Sequence, residues 1–493
     1  MTPPHIISAG SELFMDALRA QGVPVTRIAW KPPAHGDETL IGMLFRLTAG
    51  FRDGNGVSLV DSANEKALRR ILAANPVLIG VRPAAECVPI LEKGDILLHA
   101  GPPIDWPDMC GPMRGALVGA LMYEGLAASV KEAAALLDRG AVRCVPTRPC
   151  RVVAPMAGVV SRSMPLFIVK DTESGNIAYA PINEGVGHVL RFGAHTPGVI
   201  RRLHWISRVL APVLDGAVRS LGGVHLKPVM AQALGMGDEL HQRNTAASML
   251  FQRTVDHALT LAAPDRDEES EIRHFLSSGN DQFFLNLAMA ASRVAMDCAQ
   301  NIFGSSLITS MSRNGASFGI QISHFGERLF CAPCNRPRAL YFPGFNEADA
   351  CPDMGDSAIV ECYGLGGLAM GASPAVARFL RAGTLKAALS LTRQMRHICV
   401  GQNPDLPLPN AEFEGTPTGI DVRLVAATGI LPVINSGVAH IRSGVGQVGA
   451  GYALPPPQVM HQAIAALLAD LEAHAPPPHP LSCGEMDALL ARQ

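Results

Sequence analysis

The segment Ser357-Ala358-Ile359-Val360-Glu361-Cys362-Tyr363-Gly364-Leu365-Gly366-Gly367 is the starting point for interpreting this chain. Its apolar residues predict a strand that enters a glycine loop, and Ser373-Pro374 predicts the start of the next helix. Such a turn can hold an anion, because glycine lets backbone N–H groups approach it and the helix dipole favours negative charge. We therefore predict an anion-binding turn at Gly364, Gly366 and Gly367. A tight turn that needs glycine only for packing is the alternative.

Two glycine spacings in this region mimic a dinucleotide-binding fingerprint. The first, Gly364-x-Gly366-x-x-Ala369, has no acidic residue at the expected distance of about 20 residues. The second lies in residues 443–451 and is followed by a proline-rich stretch where a helix is required. We therefore predict no nucleotide and no other cofactor. Gly446 and Gly449 are interpreted as a wall around a small substrate, with His440 as a hydrogen-bond donor, or simply as a structural turn.

Composition restricts the class of protein. A chain of 493 residues with 48% hydrophobic residues predicts two to four domains. Only 17% of residues are charged, which leaves surface for partner subunits to cover and favours an oligomer. The net charge of −2, with 3 Trp and 5 Tyr and no basic run among aromatics, argues against binding to nucleic acid.

The expected location is the cytoplasm. No apolar run reaches the ~18 residues that span a bilayer, so no membrane association is expected. Residues 1–5 lack the basic start of a signal peptide. The 11 cysteines are an odd number scattered over a long chain, which favours reduced thiols.

Alternating helical and strand patterns predict an α/β protein of several domains. We assign an N-terminal α/β domain to residues 1–150 and the start of a central α/β domain to 151–228. A helical domain is assigned to 229–303. A glycine-rich α/β continuation with the site follows at 304–455, and a C-terminal helix and tail at 456–493.

The segment Met236–Asn244 is interpreted as helical. Asp238 and His241 would then be i,i+3 neighbours, and Glu239 and Arg243 i,i+4 neighbours. A carboxylate beside an imidazole can set its tautomer and raise its basicity, which suits a general base. We predict a catalytic role for Asp238 and His241, and the alternative is an ordinary pair on a helix face.

Other polar turns offer groups for binding small anions. Arg313 and Asn314 place a guanidinium fork and an amide at a turn. Asn183 and Glu184 lie in another turn, with Glu184 a weaker candidate for catalysis. Asp356 precedes the starting segment. Turn chemistry alone is the alternative for each of them.

Metal chemistry is not predicted. Cys331 and Cys334 have the C-x-x-C spacing of metal ligands, but no second C-x-x-C occurs and His324 is the only histidine nearby. Sequence patterns typical of metalloproteases, P-loop enzymes and serine hydrolases are also missing.

Several of these segments together resemble the YlbE-like family, once a domain of unknown function and now associated with the large subunit of oxamate carbamoyltransferase. The resemblance covers roughly residues 5–455. The matching segments are 98–103, 155–158, 183–185, 236–244, 312–315, 341–344, 352–358, 364–367 and 446–451.

The resemblance implies a fold of two α/β domains plus a small helical domain. It implies carbamoyl transfer in allantoin breakdown, in which oxalurate and phosphate are interconverted with oxamate and carbamoyl phosphate. It also implies two partner subunits, an FdrA-like protein similar to acyl-CoA synthetases and a third small subunit. The open alternatives are transfer to another small acid and a non-catalytic scaffold that binds the FdrA-like partner.

The chain departs from the family pattern at a few positions. Thr147, Arg148 and Pro149 stand where Cys-His-His is common, and Gln321 stands where arginine is common. These changes leave the identity of the carbamoyl acceptor open.

Overall fold

The computed structural model describes residues 6–8, 12–27, 32–52, 56–277, 279–378 and 383–475. Helices and strands alternate along most of this length, which confirms a multidomain α/β fold. The last residues of the predicted C-terminal tail, 476–493, lie outside the described part. No helix within the described part is long and apolar enough to cross a bilayer.

The strands are numbered in chain order. They are β1 Ile6–Ser8, β2 Val25–Arg27, β3 Pro76–Pro83, β4 Ile96–His99, β5 Arg143–Pro146, β6 Val159–Val160, β7 Pro165–Asp171, β8 Ile177–Pro181, β9 Val224–His225, β10 Ile308–Asn314, β11 Ser317–Ile322, β12 Phe330–Pro333, β13 Arg338–Tyr341, β14 Met354–Gly355, β15 Cys399–Leu408, β16 Glu414–Ile420, β17 Ile434–Ala439 and β18 Gln447–Ala453.

The α-helices are numbered in the same way. They are α1 Glu12–Ala20, α2 Glu38–Ala49, α3 Leu59–Ala73, α4 Ala84–Cys87, α5 Gly111–Tyr123, α6 Val130–Asp138, α7 Pro197–Trp205, α8 Ala211–Ser220, α9 Leu226–Gly235, α10 Thr245–Ala262, α11 Arg266–Ser277, α12 Phe283–Asp297, α13 Ile359–Cys362, α14 Pro374–Ala377, α15 Leu385–Arg396, α16 Val422–Thr428 and α17 Gln458–His474.

The strands form several small sheets. Their orders are β1-β2, β12-β11-β10-β14, β13-β18-β17, β15-β16, β8-β7-β3-β9 and β5-β4-β6. Strand β3 pairs with β7 in antiparallel register, so one sheet joins residues on both sides of the predicted boundary at 150. The domain boundaries themselves stay predictions.

Helix α12 lies at the centre of the largest core. Every residue from Phe283 to Met296 is buried, and the helix packs on β7 and β8 and against α10. A helix that is buried on all faces has protein on all sides. The rings of Phe167 and Phe251 contact Phe283 at centroid distances of 5.7 and 5.6 Å.

The predicted strand at residues 357–363 is wrong. Ile359–Cys362 forms the short helix α13, and a 3₁₀ segment covers Gly366–Ala372 before α14. Both Ile359 and Cys362 are buried. A short apolar run that is buried on all faces has no periodicity that separates strand from helix, which explains the error.

Candidate functional site

The segment Met236–Asn244 is a loop between α9 and α10, and the predicted helix is wrong there. Leu240 has a left-handed backbone, with a φ of 67°. The buried Glu239 carboxylate accepts hydrogen bonds from the backbone N–H groups of His241 at 3.0 Å and Gln242 at 2.6 Å. These bonds replace the i to i−4 pattern of a helix. Burial raises the pKa of Glu239.

His241 pairs with Glu361 and not with Asp238 as predicted. Nδ1 of His241 lies 2.7 Å from Oε1 of Glu361, and both side chains are buried. The same Oε1 accepts the backbone N–H groups of Gly367 at 3.1 Å and Asn435 at 3.0 Å. Since this oxygen acts as an acceptor, the Nδ1 atom of His241 carries the proton. Nε2 of the imidazole is left for chemistry.

The predicted glycine turn holds an anion, but that anion is the chain's own Glu361 carboxylate. Gly367 donates to it directly, and Gly366 donates to the backbone oxygen of Glu239 at 2.7 Å. Gly366 has a φ of 55°, and a Cβ there would collide with the Glu361 carboxylate. Gly364 packs instead against β16, beside Pro417. Gly366 and Gly367 therefore position the Glu361 carboxylate, and none of the three predicted glycines lines the cavity.

A cavity of about 300 Å³ opens beside His241. Arg191 and Arg243 are the only lysine, arginine or carboxylate side chains among the described residues that line it. The lining residues are Pro155, Met156, Val186, Arg191, Phe192, His241, Gln242, Arg243, Gln282, Leu285, Phe342, Ser357, Ala375, Val376, Ser436, Gly437, Gln447 and Ala450. A cationic pocket with no carboxylate in its wall suits small anions.

Asp238 holds Arg243 at this cavity. Its Oδ1 accepts Nε of Arg243 at 3.1 Å, and its Oδ2 accepts the backbone N–H of Ala247 at 2.8 Å. The predicted side-chain pair of Glu239 with Arg243 is therefore wrong, because the Arg243 side chain pairs with Asp238. The Arg243 side chain is 40% exposed, so its outer nitrogens can reach a ligand. Burial raises the pKa of Asp238 to about 6.

Arg191 approaches the cavity from the turn that contains Asn183 and Glu184. Its Nε donates to the Gly185 oxygen at 2.9 Å, and its guanidinium stacks over Phe192. Burial lowers the pKa of Arg191 to about 10, so it stays a cation at neutral pH. Glu184 is buried, accepts the backbone N–H of Leu190 at 2.8 Å, and burial raises its pKa.

Asn183 and Glu184 support the cavity from behind. The amide of Asn183 donates to Asn286 on α12 at 2.9 Å and accepts the N–H of Gly185. Both residues line a smaller cavity of about 30 Å³ that also touches Arg191. They fix the position of Arg191 and do not line the larger cavity.

Arg313 and Asn314 are buried behind the cavity wall. Arg313 binds Asp353 at 2.8 Å and the Gly355 oxygen at 3.0 Å, and its Nη2 lies 3.4 Å from the Ser357 hydroxyl. Asn314 accepts N–H groups of its own turn and donates to the Pro102 oxygen. Direct anion binding, predicted for both, is not what this geometry offers, because their polar groups are used within the chain.

Asp356 links distant parts of the chain. Its carboxylate accepts the N–H of Gly101 at 2.8 Å, the hydroxyl of Thr147 at 2.7 Å and the N–H of Ala154 at 3.1 Å. It therefore fixes the neighbouring Ser357, which lines the cavity. Asp356 itself is outside the lining and is a positioning residue.

The second glycine segment is part loop and part strand, since residues 443–446 form a turn and residues 447–451 belong to β18. Gly449 belongs to β18, whose Gln447 and Ala450 line the cavity. Gly446 accepts the backbone N–H of His440 at 3.0 Å. The His440 imidazole accepts the N–H of Arg442 and lies outside the cavity.

Several residues of the site were not singled out from the sequence. Ser436 donates to Asp353 at 2.7 Å, and Gln282 donates to the Gln242 oxygen. Arg191 was not predicted to contribute, and Glu361 was considered only as part of a strand. No local spacing marks these residues, since their partners are far away in the chain. No group of three or more His, Cys, Asp or Glu side chains in the described ranges could hold a metal.

Comparison with known proteins assigns the chain to a family. A family model described as oxamate carbamoyltransferase subunit AllG matches residues 142–357. The oxamate carbamoyltransferase subunit AllG of Escherichia coli (strain K12) is 44% identical over 409 residues, which cover 83% of this chain and 97% of the relative. The chain belongs to the AllG family of oxamate carbamoyltransferase subunits.

Two further proteins are similar to this AllG-family chain. The uncharacterized protein YahG of Escherichia coli (strain K12) is 39% identical over 462 residues, or 94% of this chain and 96% of YahG. A crystal structure of a conserved protein of unknown function from Enterococcus faecalis V583 superposes with a TM-score of 0.81 at 40% identity, covering 84% of this chain and 98% of the other.

Proposed function

We propose that the cavity beside His241 binds oxalurate and phosphate, and that the chain interconverts them with oxamate and carbamoyl phosphate as one subunit of a complex. The observation that carries this proposal is the lining of the cavity, which among the described residues includes Arg191 and Arg243 and no carboxylate. All four reactants are small anions. The similarity to AllG, whose name gives an oxamate carbamoyltransferase subunit, supports the same chemistry.

Each of the two arginines is assigned to one substrate. Arg243 has exposed outer nitrogens beside Asp238 and suits the phosphate, which enters from solvent. Arg191 is deeper and suits the oxalurate carboxylate. The Ser357 hydroxyl, which accepts from Arg313, lines the same wall and can donate to the carbonyl oxygen that becomes an oxyanion. Holding both reactants together contributes strongly to the rate.

His241 moves the proton in the proposed reaction. A phosphate oxygen attacks the ureido carbonyl, and the bond from this carbon to the oxamate nitrogen breaks. Nε2 of His241 takes the proton of hydrogen phosphate and returns it to the departing nitrogen, so no proton is gained or lost overall. Glu361 holds Nδ1 and stabilises the imidazolium formed in between. Asp238 acts by holding Arg243 and not as a base.

The partner subunits are part of the proposal. An FdrA-like subunit and a third small subunit would complete the enzyme, as the family resemblance implies. A non-catalytic scaffold role is the competing proposal, and turnover by variants of this chain separates the two.

The test uses the assembled complex with oxalurate and phosphate, and measures the release of oxamate. We expect His241→Asn and Arg243→Gln to lower turnover at least a hundredfold while the complex still assembles on size-exclusion chromatography. Arg253→Gln, an exposed arginine on α10, is the matched control and should be unaffected. Full turnover with His241→Asn and Arg243→Gln would instead assign the chemistry to another subunit.

A further inference from the structure

Two arginines outside the cavity are buried with several nitrogens unpaired. Arg148 lies in the 3₁₀ turn Arg148–Cys150, and Arg293 lies on the central helix α12. They are 6% and 2% exposed. Nε and Nη2 of Arg148 and Nη1 of Arg293 have no hydrogen-bond acceptor among the described residues.

The nearby carboxylates compensate these cations only in part. Asp297 bonds to Nε of Arg293 at 2.7 Å. Glu327 lies 3.6 Å from Nε of Arg148 and 3.9 Å from Nη2 of Arg293, beyond hydrogen-bond distance of either. Burial and the neighbouring Arg293 lower the pKa of Arg148 to about 9, so the Arg148 guanidinium is charged at neutral pH.

Such an arrangement favours an anionic ligand. A buried N–H donor without an acceptor is destabilising, and a buried charge that is poorly paired is more so. Guanidinium groups bind phosphate oxygens through two parallel hydrogen bonds, and two guanidiniums side by side match a tetrahedral oxyanion.

We propose that Arg148 and Arg293 form a binding site for a phosphate-type oxyanion, which replaces the Glu327 carboxylate over the pair. The Glu327 side chain is 59% exposed and can turn towards solvent. Nε2 of Gln321 binds the Glu327 backbone oxygen at 2.7 Å and lies 3.4 Å from its carboxylate, so the exchange breaks this long side-chain contact and keeps the backbone one. Neither arginine lines the cavity beside His241, and the site is distinct from the proposed active site.

The experiment measures binding of inorganic phosphate to the full-length chain that carries Arg243→Gln, which weakens binding in the cavity. Thermal unfolding and calorimetry follow the titration, with potassium chloride at matched ionic strength as the salt control. We expect phosphate to raise the melting temperature, and oxamate, a planar carboxylate, to bind at least tenfold more weakly.

Further variants test Arg148 and the nearby Glu327 carboxylate. Glu327→Gln removes the competing carboxylate and should tighten phosphate binding about fivefold, the range for a partly exposed ion pair. The matched control Glu173→Gln removes an exposed carboxylate elsewhere and should change nothing. Arg148→Gln should abolish the phosphate-induced rise in melting temperature.

Three results would contradict the proposed phosphate site. They are a phosphate response that survives Arg148→Gln, affinity that is unchanged by Glu327→Gln, and an equal response to oxamate and phosphate. Each of these binding results is independent of turnover in the complex. Loss of the Arg148–Arg293 site would therefore leave the proposed reaction standing, and failure of the proposed reaction would leave this site standing.

Discussion

The imidazole of His241 and the carboxylate of Glu361 are 2.7 Å apart and both buried, although 120 residues separate them in the chain. The Glu361 oxygen in this contact also accepts two backbone N–H groups, from Gly367 and Asn435. This geometry places the imidazole proton on Nδ1. We expect ¹⁵N chemical shifts of the His241 ring to report a protonated Nδ1 and an unprotonated Nε2 when the imidazole is neutral.

Replacing Glu361 with glutamine removes the charge at the centre of these bonds. Hydrogen bonds to charged groups contribute about 1.5–3 kcal/mol each, roughly twice the neutral value. We expect Glu361→Gln to lower the free energy of unfolding in urea by about 2–4 kcal/mol. Glu92→Gln, at an exposed position, is the control and should shift it by less than ~0.5 kcal/mol. Equal stability of the two variants would contradict the network.

Substitution of Gly366 tests the packing of the glycine turn, if the backbone strain of an added Cβ is separated from its collision with Glu361. Gly366 and Gly383 have similar left-handed φ angles, 55° and 58°. A Cβ at Gly366 would meet the Glu361 carboxylate, whereas nothing lies within 4 Å of one at Gly383. We expect Gly383→Ala to cost about 1–2 kcal/mol from strain alone. Gly366→Ala should cost at least ~2 kcal/mol more in the same unfolding measurement. Similar losses would argue against close packing of the turn on Glu361.

Arg243 is predicted to bind the substrate anion through its outer nitrogens, while its Nε bonds to the buried Asp238. Loss of a charged hydrogen bond costs about 1.5–3 kcal/mol, which is a tenfold to hundredfold change in affinity. We expect Arg243→Gln to weaken oxamate binding in calorimetry by this factor, at a temperature where the variant is still folded, because loss of the Asp238 bond also lowers its melting temperature. Arg253→Gln should bind normally, and a comparable loss in that control would point to a general charge effect.

Asp238 makes the stability depend on pH. Burial raises its pKa from 3.8 to about 6, so the folded chain holds a proton that the unfolded chain releases between these values. The favourable contribution is complete below pH 3.8 and is lost as the pH rises through about 6. At 1.36 kcal/mol per pH unit, the loss is about 3 kcal/mol. We expect the free energy of unfolding of the parent, minus that of Asp238→Asn, to fall by this amount between pH 4 and pH 7. A difference that stays flat would exclude the raised pKa.

The sequence identified the segments of the site better than the roles of their residues. His241 lines the cavity, whereas the glycine turn at 364–367 packs on the chain's own Glu361 carboxylate. Arg313 was predicted to bind substrate because it places a guanidinium fork at a turn. In the folded chain the guanidinium fork of Arg313 is bound to Asp353. Ser357, which contacts Arg313, lines the cavity in its place. A turn pattern describes local backbone shape and carries no information on what packs over it.

By itself, the sequence determined the alternating α/β pattern, the absence of nucleotide-binding context around its glycines, and the family resemblance carried by local runs of residues. These properties depend on neighbours within about ten positions. Only the tertiary structure decided that Glu361, and not Asp238, pairs with His241, and that Arg191 and Arg243 face one cavity. The reason is physical. A buried charge takes its partner from whatever segment the packed core brings within hydrogen-bond distance, and that choice depends on the whole fold.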